Sequence, residues 1–128
     1  MIDKSKTFII LSYIFVIYIS LLALIFIFQR SLMYFPVKEK ISKSFYKNTK
    51  LKIIDISTSD GLILKSLYKK SETNINKTIL VFHGNAGHIG HRVSKFKPFM
   101  DKGYGLLLLE YRGYGENKGK PTKLGLYR

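Results

Sequence analysis

From Phe8 to Phe28 the chain reads FIILSYIFVIYISLLALIFIF, 21 residues among which only Ser12 and Ser20 are polar. At ~1.5 Å per residue a helix of this length is about 31 Å long, close to the ~30 Å hydrocarbon core of a bilayer. A helix packed into a soluble core shows a polar face, which this run lacks. A cleaved secretory leader has an apolar stretch of about 7–15 residues ending at small side chains, whereas this one ends Phe26-Ile27-Phe28. The pattern predicts one uncleaved, single-pass membrane helix over residues 8–28, preceded by a tail, 1–7, and followed by a basic linker, 29–50. In that linker "MYFP", Met33 to Pro36, places aromatics where a membrane interface holds them.

From residue 51 to 128 the pattern changes to that of a folded domain. "LKIIDIS" alternates as a strand does, "SDG" at Ser59 to Gly61 is a turn signal, and "LILKSLYKK" alternates again, which predicts a hairpin. "TILVF", Thr78 to Phe82, is a continuous apolar run expected of a strand buried on both faces. Ile89, Val93, Phe96 and Met100 recur at helical spacing, with Pro98 expected to kink that helix and Gly103 to cap it. "GLLLLEY", Gly105 to Tyr111, is a second buried strand. A glycine-rich loop then leads to Thr122, the N-cap of another helix. The order β-β-β-α-β ends in a βαβ unit, so the fold class is α/β: a hairpin joined to a parallel pair with a right-handed crossover.

Charge changes this picture little. The formal net charge is +14, from 22 basic and 8 acidic residues. Of the basic residues 18 are Lys and 4 are Arg, and they are scattered, not gathered on one face or interleaved with aromatics, so no nucleic-acid partner is expected. With 16 Ile and no Trp, the lysine excess reads as coding bias. Lys38, Lys40, Lys43, Lys47, Lys50 and Lys52 cluster just after the apolar helix. That run suits either a solvated linker or a contact with anionic membrane lipid, at about 1 kcal/mol per charge near the surface. Arg30 and the linker lysines outnumber Lys4 and Lys6, which favours a cytoplasmic C-terminal side at the cell membrane. The absence of Cys excludes thiolate chemistry and disulfides.

The segment with candidate chemistry is "TILVFHGNAGHIGHR", an apolar strand running into a glycine-rich bend and then a helix. A sheet of this kind binds ligands off the carboxyl ends of its strands. In one reading Gly84 turns the chain so that the N–H groups of Asn85 and Ala86 form an oxyanion hole, where one donor contributes roughly 3–4 kcal/mol. In the other, Gly84, Gly87 and Gly90 cradle a pyrophosphate and Glu110 holds a ribose. The spacing there is G-x-x-G-x-x-G, however, with Ala86 where the phosphate must approach. His83, His88 and His91 have no carboxylate near in sequence, and no metal site is expected. Ser66-Lys69 and Ser94-Lys97 each match S-x-x-K without its supporting motifs.

"HGNAG" after an apolar strand, followed by "KGYGLLLLEYRGYGENKGKPT", resembles the alpha/beta-hydrolase superfamily. Within it the chain is similar to the BEM46-like membrane-anchored serine hydrolases, relatives of the ABHD13 and ABHD17 types; "QRSLMYFP" and "TSDGL" add to the likeness. The resemblance implies that Asn85, with Ala86, supplies oxyanion donors, and that His83, Gly84 and Gly87 shape the bend. It makes Tyr111 to Gly115, with Arg112, Gly113 and Gly115, the turn after the fourth strand. Asn117 stands where the family usually has Ser. No cofactor is implied. It also implies a strand order 1-2-4-3-5, with "GLLLLEY" between the hairpin and "TILVF". The family's G-x-S-x-G elbow, acid and catalytic His belong on later elements, and these 128 residues contain no G-x-S-x-G. The expectation is therefore a truncated or split membrane-anchored hydrolase, inactive alone, or one that works with a second chain carrying the elbow, the acid and the His. The competing expectation is a small membrane-attached dinucleotide-binding or other non-enzymatic binding protein.

Overall fold

The computed structural model describes residues 4–72 and 74–127, in two compact units, Met1–Met33 and Tyr34–Arg128. The first unit is a single helix, α1 (Lys4–Met33). It contains the whole predicted apolar segment and buries none of its described residues. By length and composition it is a candidate membrane span. Its polar side chains fold back on its own backbone: Ser12 Oγ donates to Phe8 O at 3.0 Å and Gln29 Nε2 to Phe26 O at 2.8 Å. Such internal bonds are the ones available where no water is present.

The second unit begins with β1 (Phe35–Pro36) and a 3₁₀ turn over Lys43–Phe45 capped by Ser42. Next come β2 (Lys52–Ser57), β3 (Ile63–Lys69), β4 (Thr78–Phe82) and β5 (Ala86–Gly87). A 3₁₀ turn over Ile89–Arg92 leads into α2 (Val93–Asp101), then β6 (Gly105–Leu109) and α3 (Lys123–Leu126). The main sheet has the order β2-β3-β6-β4. β2 and β3 form the expected hairpin, antiparallel from Lys52 opposite Tyr68 to Ser57 opposite Ile63. β6 lies between that hairpin and β4, antiparallel to β3 and parallel to β4. This is the order expected of the first four strands.

The core lies between this sheet and α2. Leu67, Leu106 and Leu108 are fully buried and pack with Ile89, Val93 and Met100. Residues 34–50 hold more than a linker: Ile41 is buried in the same core, alongside Leu51. The helical spacing from Ile89 onward resolves into a 3₁₀ turn first, because His88 Nδ1 accepts from Gly90 N–H at 3.1 Å and tightens the start. α2 then runs through Pro98 to Asp101. Gly103, at φ +88°, stops it as expected, its N–H donating to Met100 O at 3.1 Å. Thr122 Oγ1 caps α3 through Gly125 N–H at 3.0 Å.

One strand departs from expectation. "TILVF" is not buried on both faces: Ile79 and Val81 pack against the core, while Leu80 and Phe82 are 53% and 58% exposed. Among the described residues β4 is the sheet's edge and pairs only with β6. Successive side chains point to opposite faces, and only the α2 face is covered.

Candidate oxyanion bend

β4 ends at Phe82, and the chain bends through His83, Gly84 and Asn85 into β5. β5 pairs in parallel with β1, Phe35 opposite Ala86 and Pro36 opposite Gly87. Phe35 of "MYFP" thus enters a short ladder against the bend. Phe35 N–H donates to Asn85 O at 2.8 Å and Val37 N–H to Gly87 O at 3.3 Å. Tyr114, almost wholly buried, donates its hydroxyl to the same Asn85 O at 2.7 Å. With two donors on that carbonyl the Asn85–Ala86 peptide plane is fixed. In a trans peptide the N–H points opposite to the C=O, so Ala86 N–H faces away from Tyr114 and Phe35. Arg92 Nη2 donates to Ala86 O at 2.9 Å and holds the following peptide. The left-handed backbone occurs at Gly87, φ +81°, and not at Gly84. A Cβ added at Gly84 would meet nothing within 4 Å, so what Gly84 supplies is open space and not a strained turn.

His83 anchors the bend from below. Its Nδ1 lies 2.8 Å from Gly84 O, and since a carbonyl only accepts, Nδ1 is the donor. Its Nε2 lies 2.7 Å from Glu110 Oε1, with both side chains fully buried. The approach is oblique, so the contact is electrostatic more than a straight hydrogen bond. Glu110 Oε2 accepts from Ile89 N–H at 3.0 Å, and Glu110 N–H donates to Ser66 Oγ at 3.1 Å. One carboxylate at the end of β6 thereby ties the bend and the next turn to the sheet. This corrects the dinucleotide reading. Glu110 is wholly inaccessible and its oxygens face His83 and Ile89, which leaves none for a ribose.

The turn after β6 is held as firmly. Gly113 and Gly115 adopt φ +77° and +54°. A Cβ on Gly115 would sit 3.0 Å from Glu110 Oε2, so a side chain there would have to push the buried carboxylate aside. Gly115 N–H donates to Val37 O at 2.9 Å, joining the turn to the segment after β1. Arg112 forks onto Asp60 of the hairpin turn, Nη1 to Oδ2 at 2.7 Å and Nη2 to Oδ1 at 2.9 Å. The Arg112 hydrogen bonds hold the Asp60 carboxyl well below the usual carboxylate range. Asn117, in the family's Ser position, spans two elements. Its Oδ1 accepts from Lys65 N–H at 2.8 Å, and its Nδ2 points to Lys65 O at 3.2 Å and Glu110 O at 3.3 Å.

The three histidines separate. His83 belongs to the bend. His88 is fully buried, and burial, then His91, pushes its imidazole below the ordinary 6.5. His91 is exposed beside it, and the fold brings in a carboxylate that sequence distance hid, Glu39. Glu110, which the sequence offered only as a ribose ligand, carried another signal: a lone acid ending an otherwise apolar strand calls for a buried partner.

No protein-family model matches the chain. It is 34% identical over 113 residues to the alpha/beta hydrolase domain-containing protein WAV2 of Arabidopsis thaliana, covering 83% of this chain and 37% of that one. It is 33% identical over 118 residues to protein bem46 of Schizosaccharomyces pombe, covering 84% of this chain and 40% of the relative. A shorter stretch of 61 residues, 46% of this chain and 16% of the relative, is 39% identical to lysophosphatidylserine lipase ABHD12 of Danio rerio. Among solved structures, the Pyrococcus furiosus esterase Pf2001 superposes with a TM-score of 0.54 at 22% identity, over 73% of this chain and 36% of the esterase. The chain thus spans about two fifths of the length of WAV2 and of bem46.

Proposed function

This chain being a BEM46-like member of the alpha/beta-hydrolase superfamily, we propose that it is the oxyanion-bearing portion of a membrane-anchored serine hydrolase, for acyl substrates of the ester, thioester or amide class. In this reading Ala86 N–H, with Asn85 N–H, receives the negative oxygen of the tetrahedral intermediate, and the open space at Gly84 admits the acyl carbon. The observation that carries the reading is the clamp on Asn85 O by Phe35 and Tyr114. Donors fixed before the charge develops need no reorganisation as the reaction proceeds.

The nucleophile is to come from a strand that pairs with the bare edge of β4, and the acid and the catalytic His from elements after it, on residues outside these 128. Membrane lipid is the first partner, with α1 as the anchor and its C-terminal side in the cytoplasm. Two measurements test the reading. A fluorophosphonate probe leaves this chain unlabelled and labels one serine of a supplied G-x-S-x-G segment only when both are present. Stoichiometric labelling of this chain alone refutes it. Alkaline wash leaves the chain in the membrane pellet, and its release into the wash overturns the anchor.

A further inference from the structure

We propose that Glu39, His88 and His91 form a binding site for a divalent transition-metal ion, zinc(II) foremost, stapling the segment after β1 to the turn after the oxyanion bend. One ligand atom from each side chain lies within 4.8 Å of the other two. Around a tetrahedral zinc such atoms are about 3.4 Å apart, given Zn–N bonds of about 2.0–2.1 Å. Closing the difference takes a movement of roughly 1 Å, which the exposed side chains of Glu39 and His91 can supply by rotamer changes. His88 need not move.

The rings are already oriented. Their centroids are 4.0 Å apart, and Phe45 meets both edge-on, at 5.3 Å from His88 and 5.4 Å from His91. Burial pushes His88 toward the neutral form, the one that binds metal. Two imidazoles and one carboxylate suit zinc, nickel or cobalt, and leave a position open to water. An oxygen-seeking ion such as magnesium is a poor match.

Binding has a structural consequence. His88 Nδ1 now accepts from Gly90 N–H at 3.1 Å. A neutral imidazole has one lone pair for this purpose. A metal on Nδ1 takes that lone pair, and a metal on Nε2 moves the ring proton to Nδ1. Gly90 N–H loses its acceptor either way, so the ion competes with the cap of the 3₁₀ turn that follows the bend.

The test uses the full chain in detergent micelles, with cobalt(II) as a spectroscopic stand-in. Saturable one-to-one binding is expected, with visible d–d bands that zinc(II) displaces and magnesium does not. Glu39→Gln and His91→Asn each weaken binding at least tenfold; both positions are exposed, so the fold survives. At zinc saturation the Gly90 amide resonance shifts and its hydrogen exchanges faster. Absence of saturable binding, unchanged affinity in His91→Asn, or an undisturbed Gly90 amide at saturation overturns the proposal.

Discussion

Replacing Glu110 tests whether one buried carboxylate positions the bend. In Glu110→Ala the Ile89 N–H loses the acceptor it has at 3.0 Å, and the full desolvation penalty of an orphaned donor is ~1–3 kcal/mol. His83 Nε2 loses the charge 2.7 Å away in a site with no solvent exposure. Breaking a buried pair from one side costs ~3–5 kcal/mol in total, since the partner remains buried. Glu110→Gln keeps the shape. Its carbonyl oxygen still accepts from Ile89 N–H. Only the charge-assisted part is lost, about 1–2 kcal/mol. The ranking is therefore Ala well above Gln. Native-state hydrogen exchange at the Ile89 amide, in the full chain in micelles, reads the difference locally. A loss of ~3 kcal/mol or more raises the exchange rate at least roughly 100-fold, and ~1–2 kcal/mol about 5- to 30-fold. The reasoning fails if Glu110→Ala exchanges at the wild-type rate, or if Gln is as damaging as Ala.

Tyr114→Phe removes the 2.7 Å bond to Asn85 O at constant ring volume. It is expected to cost ~1 kcal/mol of stability and, in the completed enzyme, to lower kcat up to about tenfold with KM unchanged; a change confined to KM counts against an oxyanion role. Asp60 has its carboxyl lowered from the ordinary 3.8 by the Arg112 fork, so its stabilisation is complete above that pH and drains as pH falls below it. Asp60→Asn should flatten this acid limb in a circular-dichroism titration, and an unaltered limb removes the fork as its cause. Residues 34–128 made without α1 should self-associate through the β4 edge, where Leu80 and Phe82 are exposed. Leu80→Lys with Phe82→Lys should lower the sedimented fraction, and equal sedimentation points to another surface.

The strands were legible because they rest on local signals: alternation in the hairpin, unbroken apolar runs in β4 and β6, a turn at Gly61; their order followed from the family resemblance and from no local pattern. Apolar runs do not record which faces are covered, so β4 reads as doubly buried although half its side chains meet solvent. The bend was legible as a glycine pattern, and within it positive φ falls at Gly87 while Gly84 leaves open space. The contacts that fix the site escaped because they join segments far apart in the chain. Asn117 meets Lys65 across 52 residues, as Arg112 meets Asp60. A two-residue strand such as Phe35–Pro36 has too few positions for any periodicity to show, so its aromatics read as interfacial. These long-range contacts share one physical theme. Each satisfies a backbone group or a charge left over where the apolar pattern ends, at the carboxyl ends of β4 and β6. A hydrophobic pattern specifies which residues leave water and is silent on how the polar groups at its boundary are paired. In this fold that boundary is the candidate site, so the part that does chemistry is the part the pattern says least about.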